Sequence, residues 1–383
     1  MDWIDVLIIA IKAVVVFGFL LVSVMMTIWV ERRIVAFMQQ RYGPNRVGPF
    51  GMLQSLADGV KLFFKEDIRP IAANEPIFTL APIFSLVPAF LAFAVVPLGK
   101  GFHIGDRFIS FQLVDLNIGL LFFLAMGSLM VYGVVLAGWA SGSAYPLLGA
   151  VRSTAQMISY EMGLGLAAVA VTLWAGTLST RGIVDAQAGF YIGFIPRWFI
   201  FPQFPAFLLF MLAGIAEANR APFDLPEAET ELVAGYHTEY SGIKFAMFFL
   251  AEYLHVITTS AVAVTLFLGG WRGPIFPFLE PIWPVAWFMG KMGALIFLFI
   301  WARATIPRLR YDRLMAIGWK VFIPAGLGWV MITAALTVLP QEIDRGTLLA
   351  WIGPVFGIAT VIVLSKVTRE TLSALRARAG GEA

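Results

Sequence analysis

Long apolar runs alternate with short polar segments along almost the whole chain. A helix needs about 20 apolar residues to cross the hydrocarbon core of a bilayer. Runs of that order, with loose ends, fall at 6–30, 78–98, 113–138, 156–178, 201–219, 244–268, 283–304, 319–339 and 348–367. The pattern predicts an all-α polytopic membrane protein, about nine transmembrane helices in a single transmembrane domain over 1–383. Span 201–219 is the weakest, being short and carrying Pro202 and Pro205 at its start. The first run has an acidic leading end, is too long for a signal peptide and lacks a small-residue cleavage site, so it reads as a retained span.

One polar interval has a periodicity of its own. In FGMLQSLADGVKLFFKED (50–67), Phe50, Leu53, Ala57, Val60 and Phe64 recur at three-to-four spacing, with Gln54, Asp58, Lys61 and Lys65 on the other face. A helix over about 50–64 is too short to span, so it lies in the interface or against the bundle. Two roles stay open for it, a surface anchor or the roof of a cavity reached from the membrane.

Composition supports this class: the chain is 60% apolar, has 34 Phe and only 13% charged residues. With the N-terminus outside, the inside segments hold about 19 Lys and Arg and the outside loops about 6. That bias places the N-terminus outside and the C-terminus in the cytoplasm, and makes the net charge of +3 a topology signal rather than a sign of nucleic-acid binding. The absence of Cys removes disulfides, iron–sulfur ligation and thiolate chemistry together. Of three His only His255 falls in an apolar run, which speaks against a haem held by paired histidines.

Ionisable residues inside apolar spans carry the candidate chemistry. Glu161, Glu217, Glu252, His255 and Lys291 lie within the expected spans or at their ends. A charge at mid-bilayer costs at least about 2.5 kcal/mol and needs a partner or a wet cavity. Single residues of this set could be helix-pairing contacts, but four spans carrying them together favour a proton path.

Two loops extend this picture. The stretch EANRAPFDLPEAETELVAG (217–235) opens an acidic cytoplasmic loop over 217–243 that holds Asp224, Glu227, Glu229 and Glu231. Asp224-Leu-Pro-Glu227 has the form of a capping box, with Pro226 in the first turn and Gly235 at the end. Capping accounts for Glu227 but not for the other acids, and neither HExxH nor EF-hand spacing suggests a metal. A basic cytoplasmic loop over 303–320 collects Arg303, Arg308, Arg310 and Arg313, suited to topogenesis, partner docking or a polar tunnel.

ERRIVAFMQQRYGPNRVGPFGMLQSLADGVKLFFKED (31–67), AVRSTAQMISYEMGLGLA (150–167), AEANRAPFDLPEAETELVAGYHTEYSG (216–242) and WARATIPRLRYDRLMAIGWKVFIP (301–324) resemble the H-subunit family of bacterial respiratory complex I. That family is the counterpart of the first NADH dehydrogenase subunit of mitochondria. The resemblance covers nearly the whole chain up to about residue 340, the extra C-terminal span and tail, 348–383, going beyond many relatives. It implies a component of a proton-pumping NADH:quinone oxidoreductase in the cell membrane, with no redox centre and no catalysis of its own. Quinone is then the substrate, and flavin and iron–sulfur clusters lie in partners. The implied partners are the B and D subunits of the hydrophilic arm, the A, J and K subunits of the membrane arm, and lipid. It further implies a quinone cavity lined by Arg32, Asp58, Phe249, Arg303 and Arg308. An acidic coupling path would use Glu161, Glu217, Asp224, Glu227, Glu229, Glu231 and Glu252, with Lys291 nearby. The alternatives are the homologous component of a membrane-bound hydrogenase or ferredoxin-driven pump and, more remotely, a stand-alone ion transporter.

Overall fold

The computed structural model describes residues 3–104, 107–192, 195–221, 223–224, 233–274 and 282–338, and beyond them 355, 356, 358 and 362. Within these residues the regular structure is helical apart from two short antiparallel hairpins. Phe102–Ile104 (β1) pairs with Arg107–Ile109 (β2), and Phe190–Ile192 (β3) with Ile195–Pro196 (β4).

Among the described residues the α-helices are α1 Trp3–Met38, α2 Gln54–Phe63, α3 Glu75–Ala92, α4 Gly119–Ala140, α5 Ala144–Ala175, α6 Thr180–Ala186, α7 Phe204–Glu217, α8 Gly242–Phe267, α9 Ile282–Thr305, α10 Tyr311–Ile317 and α11 Ile323–Val338. Seven helical segments among these residues are long and apolar enough to cross a membrane, α10 and α11 counting as one segment over Tyr311–Val338. The expected span 201–219 appears as α7, whose 14 residues reach about 21 Å, short of a bilayer core of about 30 Å. The expected ninth span, 348–367, lies almost wholly outside the described residues.

Three boundaries depart from the expectation. Helix α5 begins at Ala144, a full three turns before residue 156, because the short loop after α4 returns directly into helix. The short helix α2 starts at Gln54, since Phe50 is held at φ 53°, a left-handed conformation that ends the preceding turn. Its only buried residue is Ser55, whose hydroxyl donates to the Met25 carbonyl of α1 at 3.1 Å, while Phe50, Leu53, Val60 and Phe64 are exposed. The third departure is a π turn, Gly318–Phe322, which joins α10 to α11.

Packing centres on α8. Every residue from Ala251 to Phe267 is buried, so this helix touches protein on all sides. Around it lie α1, α2, α3, α6, α7 and α9, and the row α3–α4–α5–α7 closes the bundle, with α11 against α5. Small residues permit the closest approaches. A Cβ at Gly133 of α4 would lie 2.1 Å from Ser85 Oγ and 2.6 Å from Ser85 N of α3. Gly133→Leu should therefore destabilise the bundle by about 1–3 kcal/mol through overpacking. A lowered thermal midpoint of the assembled protein in detergent is expected, and an unchanged midpoint would contradict this helix contact.

Candidate functional site

The described structure contains two adjoining cavities beside α8. The first, about 910 Å³, lies between α1, α2 and α8 and has mainly apolar walls, among them Leu21, Val24, Ile28 and Phe249. At its polar end Arg32 Nη1 donates to Asp58 Oδ2 at 2.7 Å, and Gln54 Nε2 to Asp58 Oδ1 at 3.1 Å. Arg32 and Asp58 remain partly exposed, so the pair contributes about 0–1 kcal/mol to stability and serves to fix charge at the cavity. The second cavity, about 760 Å³, shares Arg32 and Phe249 with the first and is lined by Glu31, Arg220, Tyr253 and Arg303.

Glu31 receives two donors from other helices. The Arg303 guanidinium of α9 pairs with Oε1, and Tyr253 Oη of α8 donates to Oε2 at 2.9 Å. Behind them Glu31, Arg220, Tyr253 and Arg303 enclose a gap of about 20 Å³, room for a single water.

From this gap the charges continue inward. The Arg220 guanidinium lies 4.0 Å above the Tyr253 ring and 3.7 Å from Glu252 Oε2. Glu252 Oε1 accepts from Tyr236 Oη at 3.0 Å. One helical turn along α8, His255 Nε2 lies 3.6 Å from Glu217 Oε1 of α7 and 3.2 Å from Thr259 Oγ1. Glu217 Oε1 is 3.1 Å from where a Cβ on Gly127 of α4 would stand, so this glycine leaves space for the carboxylate. The next residue, Ser128, donates to Glu161 of α5. The groups alternate in sign from Arg303 to Glu31, Arg220, Glu252, the ionisable His255 and Glu217, and end at Glu161.

Local sequence explains the alignment. Glu252 and His255 are three apart and share a face of α8. Glu217 closes α7, and Asn219 at φ 50° breaks the helix so that Arg220 turns back toward α8. Gln156 of α5 secures that break, its amide donating to the carbonyls of Ala216 and Phe223 at 2.7 Å each.

Arg32, Asp58 and Phe249 thus line the apolar cavity, and Arg303 the polar one. Arg308 lines neither. It lies beyond the end of α9 in an exposed loop and pairs with buried Asp224 at 3.2 Å. Among the described residues Lys291 forms no ion pair with an acid. Its ammonium caps the far end of α8, donating to the carbonyls of Leu268, Gly270 and Arg272 at 2.7, 3.0 and 2.6 Å, and lies 4.3 Å from the Trp198 ring. Three acceptors use all three of its donors. Glu227, Glu229 and Glu231 lie outside the described residues.

Sequence reasoning passed over Glu31, Arg220, Tyr236, Tyr253, Gln156 and Ser128. For Glu31 a signal existed: the buried positions Leu20, Val24, Thr27 and Glu31 form one stripe at four-three-four spacing, which Arg32 leaves.

Comparison with known proteins bears on this geometry. Residues 11–334 match the NADH dehydrogenase family. The chain is 54% identical over 361 residues to the H subunit of NADH-quinone oxidoreductase from Frankia casuarinae, covering 93% of this chain and 79% of that protein. It is also 54% identical over 363 residues to the protein of the same description from Frankia alni, again covering 93% and 79%.

In the loop beside the string, burial pushes the His237 ring down to about 4, with the charge of Asp224 opposing. An unfolded His takes up its proton near pH 6.5. Between those values the unfolded state binds more protons, so stability falls as pH drops from about 6.5 to about 4, by up to about 3 kcal/mol. His237→Gln should make the thermal midpoint less sensitive to acidification over that window. An identical pH slope in wild type and variant would exclude His237 as its source.

Proposed function

The chain belongs to the NADH dehydrogenase family, and we propose that this membrane component of complex I supplies the membrane-side wall of the quinone chamber and the first leg of its coupling path. It is a multi-pass membrane protein working with other complex I subunits. In this reading it resides in the cell membrane with the N-terminus outside, below the B and D subunits of the hydrophilic arm and beside the A, J and K subunits. No flavin or cluster is held by this chain, and electrons arrive from an iron–sulfur centre of a partner.

The observation that carries the reading is the junction of the two cavities at Arg32 and Phe249. An apolar volume of about 910 Å³ lies in the range of ligand pockets and suits a quinone with part of its isoprenoid tail. Charge that changes in the polar cavity meets Glu31, Arg303 and Arg220 first, and through them Glu252, His255, Glu217 and Glu161. A shift in protonation at one member alters the field at the next, because buried charges are weakly screened.

Glu161→Gln and Glu217→Gln in the assembled complex should each lower quinone reductase activity coupled to proton pumping by about tenfold or more. NADH oxidation with an artificial acceptor should be unaffected. Wild-type pumping in both variants would remove the acids from the path. Copurification with a nickel–iron large subunit in place of NADH- and flavin-binding subunits would replace the complex I reading by the hydrogenase one.

A further inference from the structure

Glu161 ends the string on the α4–α5 face, and its contact there is with a hydroxyl rather than a cation. Ser128 has two acceptors within reach. Its Oγ contacts Glu161 Oε1 and lies 3.2 Å from the Leu124 carbonyl, four residues back along α4. A hydroxyl carries one hydrogen and two lone pairs, so it can donate to one neighbour while accepting from another.

We propose that Ser128 is a positioning residue that satisfies Glu161 equally well in both of its protonation states. The inference rests on the reading of Glu161 as part of the coupling path. With Glu161 ionised, the Ser128 hydrogen points at Oε1. When Glu161 takes up a proton on Oε1, that O–H donates to Ser128 Oγ, and the Ser128 hydrogen rotates to the Leu124 carbonyl. No proton is lost from the pair, and Glu161 Oε1 and Ser128 Oγ each keep a partner in both states. Glu217 and His255 both act electrostatically on Glu161, so a change at either can move the proton while Ser128 follows. A Lys or Arg at position 128 would instead bind the ionised form selectively and trap it.

Glu217 makes the contrast. It is 3% exposed, and its Oε2 has no hydrogen-bond partner among the described residues, so it lacks such a two-way neighbour on that oxygen. The adjacent Gly127 leaves room for the Glu217 carboxylate on the same turn of α4 that presents Ser128 to Glu161.

The test compares Ser128→Ala, the isosteric pair Ser128→Thr and Ser128→Val, and Glu161→Gln, all in the assembled complex. Infrared difference spectra report the Glu161 carboxyl band, identified by its loss in Glu161→Gln, and coupled activity is recorded against pH. Ala and Val should shift that band, displace the pH profile and lower the coupled rate about tenfold, whereas Thr restores all three. A wild-type band and profile in Ala and Val, with pumping lost in Glu161→Gln, would overturn the role of Ser128 and leave the coupling path standing. Unchanged pumping in Glu161→Gln would remove the coupling path itself and the inference with it.

Discussion

A charge held in hydrocarbon must be matched by a neighbour or by water, and α8 places Glu252 and His255 in a segment with no exposed face. The bundle satisfies this demand from four directions. Arg220 follows the break at the end of α7, Tyr236 comes from the turn before α8, Glu217 from α7 itself, and Thr259 from one turn further along α8. Losing one partner of such a pair costs about 3–5 kcal/mol, more than most single contacts between the apolar faces. The electrostatics therefore constrain the register of α7 against α8, and Gln156 of α5 holds the break that makes it possible.

Stability does not explain why such a string exists. Apolar residues of matching volume usually replace buried ion pairs with little loss or some gain. In the proposed role the ionic arrangement adds response: each group lies in the field of the next, and the first members line a cavity that adjoins an apolar one. Tyr253 links the two levels, bonding Glu31 with its hydroxyl and supporting Arg220 with its ring face. The bond that fixes Glu31 and the stacking that fixes Arg220 are properties of one side chain.

Much of the scaffold was legible because bilayer thickness imposes length and composition on a spanning helix. The runs at 244–268 and 283–304 agree with α8 and α9 to within two residues. Helix ends set by other forces were not legible. The early start of α5 depends on a tight return after α4, and the π turn at Gly318–Phe322 depends on packing against Tyr160. At the site, rarity in an apolar run identified Glu161, Glu217, Glu252 and His255, which the fold brings into one string. The same criterion misplaced Lys291, whose partners are backbone carbonyls that carry no residue signature. It also overlooked tyrosines and serine, which are inexpensive in apolar sequence and become informative only when their hydroxyls meet a carboxylate.

Electron cryomicroscopy of the assembled complex with a quinone analogue bound, at a resolution that shows ordered water, tests the connection between chamber and string most directly. The account predicts analogue density in the cavity bounded by α1, α2 and α8, and water in the gap among Glu31, Arg220, Tyr253 and Arg303. Lipid or partner side chains filling that cavity, with Glu31 and Glu252 separated by dry apolar packing, would contradict it.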